Sequence, residues 1–137
     1  MSCAGLHFLV LEDHAFQRRI LVRTLETLGA AAVHAAEDGH GGLRLLASAR
    51  PPVDVVLTDV GMPGMDGPEF IRRVGEAGVD VSVVLASAQD ATALRAVLEQ
   101  ALASGVRVLG VVDKPLTPDK LAPLLAQHRL RSPPPAE

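Results

Sequence analysis

Five residues of this sequence pair chemically useful side chains with a common setting. Glu12, Asp13, Asp59, Ser87 and Lys114 each stand at or just past the end of a short apolar run. Behind Asp59 the chain fills with Gly61, Pro63, Gly64 and Gly67, residues that break regular structure and shape loops. A strand that ends on a carboxylate and opens into such a loop offers that carboxylate at the edge of a sheet, where open α/β folds hold their ligands. Carboxylates brought close together repel one another, so a stable ionised cluster of Glu12, Asp13 and Asp59 needs a cation. Oxygen-only donors favour a hard ion such as Mg2+, and the backbone carbonyl of Gly61 can add one more ligand. A hydroxyl and an ammonium facing a metal-bound carboxylate make a cradle for phosphoryl oxygens. Asp59 can then attack phosphorus and form an acyl phosphate. Each residue has a plainer reading when taken singly. Glu12 and Asp13 suit the start of a helix, Ser87 suits an N-cap, and Lys114 suits a solvated surface. Placed together at the ends of successive strands, they are hard to explain by structure alone.

The elements that must position these residues alternate along the chain. Residues 6–11, 31–35, 53–59, 81–86 and 107–112 read as strands, and residues 14–28, 41–49, 68–77, 90–104 and 118–127 as helices. Ile20, Leu21, Leu25 and Leu28 form one stripe on the first helix, which Gly29 stops. Pro51 and Pro52 end the second, Pro68 opens the third, and Thr117 with Pro118 supplies the N-cap and first residue of the last. The segment Asp38-Gly39-His40-Gly41-Gly42 starts like a cobalamin-binding signature, but Leu43 breaks the pattern, and it reads as a Gly-rich turn. Continuous apolar strands alternating with helices predict a parallel sheet covered on both faces. In the doubly wound strand order 2-1-3-4-5, strands one and three are neighbours at the switch point, which brings Glu12, Asp13 and Asp59 to one place. Residues 1–128 form the expected domain. Residues 129–137, rich in Pro, read as a linker or a disordered end.

Composition narrows the function classes. The chain is 48% apolar with three Phe and neither Trp nor Tyr, so Leu, Val and Ala must build its core. A net charge of −3 supplies no basic field for nucleic acid. A lone Cys3 excludes a disulfide framework or a thiolate cluster and fits a reducing compartment. No apolar run approaches the roughly 20 residues of a membrane helix, and the start of the chain lacks a signal-peptide pattern. The expectation is a cytoplasmic domain without membrane or nucleic-acid contacts. The five His are scattered among strand, helix and loop, no two stand at metal-ligand spacing, and any of them could be a surface residue. Neither a Gly-x-x-x-x-Gly-Lys phosphate loop nor a Gly-x-Gly-x-x-Gly fingerprint is present.

Glu12-Asp13, Asp59 followed by Met62-Pro63 and Asp66-Gly67, Ser87-Ala88 and Lys114-Pro115 occur in the order of a known pattern. With these motifs the chain resembles the receiver domain of two-component response regulators, of the chemotaxis-receiver kind, over about residues 6–128. The resemblance implies a flavodoxin-like fold and a regulatory phosphoacceptor rather than an enzyme of turnover. It also implies that Asp59 takes a phosphoryl group from a His of a sensor kinase or phosphotransfer protein. Asp13 and Asp59 would bind Mg2+ directly with the Gly61 carbonyl, while Glu12 acts mostly through water. Ser87 and Lys114 would hold phosphoryl oxygens, and a cis Lys114-Pro115 peptide would aim the Lys.

Two departures qualify the resemblance. The family usually carries a switching aromatic at the position of Val111, which reads here as a core strand residue. The interval from Ser87 to Lys114 exceeds the family's by about a helical turn, which reshapes the fourth helix and its exit. The run from Val106 to Val111 is similar to receivers joined to cyclic-di-nucleotide phosphodiesterase domains, which implies an output of that type. Gly61 and Gln89 flank the acyl phosphate in the family and influence the approach of water. Two alternatives stand beside the phosphoacceptor reading. One is a receiver-like interaction module with atypical or lost phosphorylation switching. The other is a metal-dependent phosphatase, which needs a second acid near Asp59, whereas Asp66 reads as a turn residue.

Overall fold

A computed structural model describes residues 5–60, 65–87 and 91–131, with side chains through His128. Its elements run β1 (His7–Leu11), α1 (Ala15–Thr27), β2 (Ala32–Ala36), α2 (Gly39–Ser48), β3 (Val55–Asp59), α3 (Gly67–Ala77), β4 (Ser82–Ser87), α4 (Ala91–Ser104), β5 (Arg107–Asp113) and α5 (Pro118–Arg131). The strands form one sheet in the order β2-β1-β3-β4-β5, and each neighbouring pair is parallel. This is the doubly wound, flavodoxin-like arrangement expected from the alternation of apolar runs and helices.

Side chains alternate across a strand, so two cores form on opposite faces. Phe8, Val10, Val55, Leu57 and Val84 turn to one face and pack with Leu21 and Leu25 of α1 and Leu121 and Leu125 of α5. Leu9, Leu11, Val56, Val83 and Leu85 turn to the other, against Leu46 of α2, Phe70, Ile71 and Val74 of α3, and Val97 and Ala101 of α4. Burial on both faces is why the inner strands read as unbroken apolar runs. It also holds the strand ends rigidly, which any site at that edge requires.

Several expectations need correction. The glycines after Asp38 belong to α2 rather than to a turn. Asp38 caps that helix, its Oδ1 accepting the Gly41 N–H at 2.8 Å, and a Cβ at Gly42 would lie 2.6 Å from Leu11 Cδ2. The missing side chains let the helix press onto β1. Asp66 is likewise the N-cap of α3, accepting the Glu69 N–H at 2.9 Å. Helix α5 passes residue 128 and runs to Arg131, and buried His128 ties it to Ser82 through a 2.7 Å hydrogen bond. His128 is therefore not a surface residue. Val111 is 37% exposed rather than in the core. The edge strand β5 shifts register against β4, from Val83↔Val108 to Val84↔Gly110, and this bulge turns Leu109 and Val112 inward instead. Residues 132–137, most of the expected tail, lie outside the described residues.

Candidate functional site

The C-terminal ends of β1, β3, β4 and β5 gather the residues singled out in the sequence. β1 and β3 pair directly, Leu11 opposite Thr58, so Glu12 and Asp59 follow one another across the switch point. On the other side, Asp59 stands opposite Ala86 and Ser87 opposite Asp113. Buried Ser87 accepts the Lys114 N–H on its carbonyl at 3.1 Å, which fixes the chain just where the Lys side chain departs. The Lys114-Pro115 peptide is cis, as anticipated.

Lys114 joins the carboxylates. Its Nζ donates to Asp59 Oδ2 and lies 3.4 Å from Glu12 Oε1. The Glu12 side chain is only 2% exposed and needs such partners, since an isolated buried carboxylate is costly. The His14 backbone N–H supplies a second, reaching Glu12 Oε2 at 3.2 Å. Burial pushes the Lys114 ammonium toward deprotonation. The hydrogen bond and charge of Asp59, and then those of Glu12, outweigh it and raise its pKa above the ordinary 10.5. Asp13 stays more open, 30% exposed at the mouth.

Two contributors escaped the sequence reading. Arg18, one turn into α1, donates from Nη1 to the Glu12 carbonyl at 2.8 Å. His14 sets its Nδ1 3.3 Å from both Glu12 Oε2 and Asp13 Oδ1, so one His does have acidic partners at ligand distance. The signal was the bare triplet Glu12-Asp13-His14, which has no periodicity to mark it. Gly61, expected to offer a carbonyl, lies outside the described residues, as do Met62, Pro63, Ala88 and Gln89.

Chemically, the mouth holds three carboxylates against one ammonium. The oxygen donors of Glu12 and Asp13, which lie within one 4.8 Å group, suit a divalent hard cation such as Mg2+. Asp59, its side chain 16% exposed, stands beside a cation able to neutralise an incoming anion.

Comparison with known proteins agrees with this geometry. The sequence profile described as "Response regulator receiver domain" matches residues 8–126. The chain is 32% identical over 126 residues to the cyclic di-GMP phosphodiesterase RocR of Pseudomonas aeruginosa, covering 92% of this chain and 32% of that protein. It is 32% identical over 131 residues to the two-component response regulator ORR41 of Oryza sativa, covering 95% of this chain and 99% of that protein. Thus it spans about a third of RocR but nearly all of the plant regulator. Among solved structures, the chemotaxis protein CheY4 of Vibrio cholerae superposes with a TM-score of 0.75 at 26% identity, covering 90% of this chain and 98% of that one.

Proposed function

The chain belongs to the response regulator receiver domain family of two-component systems, and from that premise we propose that Asp59 is its phosphoacceptor. The observation that carries this reading is the shared ammonium of Lys114, which meets Asp59 Oδ2 and stands 3.4 Å from Glu12 Oε1 at the switch point of the sheet. An Asp59 oxygen forms a bond to phosphorus while the bond from phosphorus to a His nitrogen of the partner breaks. The electron pair leaves with that nitrogen. Lys114 moves from the carboxylate to a phosphoryl oxygen, and the Ser87 hydroxyl donates to another. Glu12, Asp13 and Asp59, with the Gly61 carbonyl, would hold Mg2+, which when bound neutralises phosphoryl charge. The same residues would let the domain take phosphate from small donors and release it by hydrolysis. The test is intact-mass measurement after incubation with Mg2+ and acetyl phosphate. We expect one phosphoryl adduct on the wild type and none on Asp59→Asn; an adduct that survives the substitution ends the assignment.

A groove of about 440 Å³ adjoins this mouth, lined by Phe16, Ile20 and Leu21 of α1 with Pro115 and Leu116 beyond Lys114. Phe16 is 68% exposed and Ile20 44%, an apolar surface next to the atoms that must meet the donor. We assign it to a helix of the sensor histidine kinase or phosphotransfer protein that presents the phospho-His. Phe16→Ala should then slow transfer from a cognate kinase by more than it slows labelling by acetyl phosphate. Equal slowing of both argues against the groove.

The likeness to RocR supports an output of the cyclic-di-nucleotide phosphodiesterase type, acting in the cytoplasm, with the receiver unit closing on α5 and residues beyond it serving as a tether. Expressing the gene's full reading frame and assaying cyclic di-GMP hydrolysis tests this output.

A further inference from the structure

The phosphoacceptor reading leaves His14 without a role, although it stands at the mouth of the pocket. Its side chain is 69% exposed, yet Nδ1 faces inward, 3.3 Å from Glu12 Oε2 and 3.3 Å from Asp13 Oδ1. One donor atom from each of the three residues fits within a 4.8 Å span. The separations are long for N–H···O hydrogen bonds, which cluster at about 2.7–3.2 Å. The two separations from Nδ1 also match the edge of a coordination shell. Two donors about 2.1 Å from one ion, at right or tetrahedral angles, lie roughly 3.0–3.4 Å apart. Glu12 divides its oxygens to suit, with Oε1 toward Lys114 and Oε2 toward His14. The imidazole changes which ion the set prefers. Carboxylates alone suit Mg2+, whereas an added nitrogen favours first-row ions of borderline character.

We propose that His14 is a metal ligand and that Glu12, Asp13 and His14 together take a divalent first-row transition ion at the pocket mouth. The inference rests on the phosphoacceptor reading in one respect: Glu12 and Asp13 are shared, so an ion held here competes with Mg2+ for the same carboxylates. Asp59, engaged by Lys114, is not among its ligands.

The test titrates the full chain with Co2+, followed by its visible ligand-field absorption, and with Zn2+, followed by histidine ring 15N shifts. The His14 resonance is assigned by its loss in His14→Ala, whose folding is checked by circular dichroism. The expected results are a Zn2+-dependent shift of His14 Nδ1 and a Co2+ affinity at least about tenfold weaker in His14→Ala. Asp59→Asn should keep the His14-dependent Co2+ absorption while losing the phosphoryl adduct. Co2+ binding equally tight in His14→Ala, or an unmoved His14 Nδ1, overturns the proposal. Failure of the phosphoacceptor reading appears in a different signal, the adduct mass, so the two cannot be confused.

Discussion

Lys114 answers to two carboxylates at once, and this fixes its charge. Burial alone would lower its pKa, but the hydrogen bond and charge of Asp59, followed by those of Glu12, carry it above 10.5. A group whose pKa is higher in the fold than in the unfolded chain stabilises fully below the unfolded value, and that contribution disappears as pH rises through the folded value. The ion pairs of Lys114 should therefore add a constant stability across the neutral range. Expressed as the difference in urea midpoint between wild type and Lys114→Met, the gap should stay level from about pH 6 to 9. It should then narrow once the pH passes the ordinary 10.5 of lysine. A gap that closes already near neutrality would contradict the arrangement. The site itself was legible in the sequence for a physical reason. Asp59, Ser87 and the Glu12-Asp13 pair each close a continuous apolar strand, so topology alone carries them to one edge. His14 was not legible, because its role depends on a side-chain direction that no spacing encodes.

At the scale of elements, the strands were legible and the helix starts were less so. A strand buried on both faces writes itself as an apolar run, whereas glycines argue against helix by about 1 kcal/mol each. In α2 the cap from Asp38 and the close approach to Leu11 override that penalty. Val111 was misjudged because a one-residue bulge in β5 resets which side chains turn inward, and bulges leave little trace in a pattern of Val and Leu. Glycine does similar work where α3 meets α4. A Cβ at Gly75 would stand 2.8 Å from both the Cβ and the carbonyl oxygen of Ser104. The obstructing oxygen is backbone, so the helices must separate to admit a methyl group. Gly75→Ala gains helix propensity of about 1 kcal/mol against an overpacking cost of about 1–3 kcal/mol. The expected net is destabilisation, read as a lower urea midpoint with an unchanged m-value. A midpoint that rises would mean that the two helices part freely.

Across the whole molecule, the sheet keeps its chemistry and its anchorage at opposite ends. At the far end from Asp59, Ser82 is fully buried and its Oγ accepts from Arg107 Nε at 2.7 Å. The same hydroxyl is hydrogen-bonded to His128 Nδ1, also at 2.7 Å, so one side chain fastens α5 and β5 to the start of β4. Asp80 steadies Arg107 from outside at 3.2 Å, an exposed contact of small worth. Ser82→Ala removes the shared atom from a buried site and should cost about 1–3 kcal/mol. Six residues of β4, roughly 17–20 Å of strand, separate this clasp from the acidic mouth. Energies of groups so far apart and without shared partners add to within about 0.5 kcal/mol. Ser82→Ala should therefore form the Asp59 adduct at the wild-type extent while unfolding at lower urea. Combined with Lys114→Met, its cost should simply add. Loss of the adduct in folded Ser82→Ala protein would show instead that α5 and the acidic mouth are coupled through the sheet, making the clasp part of the switch rather than its footing.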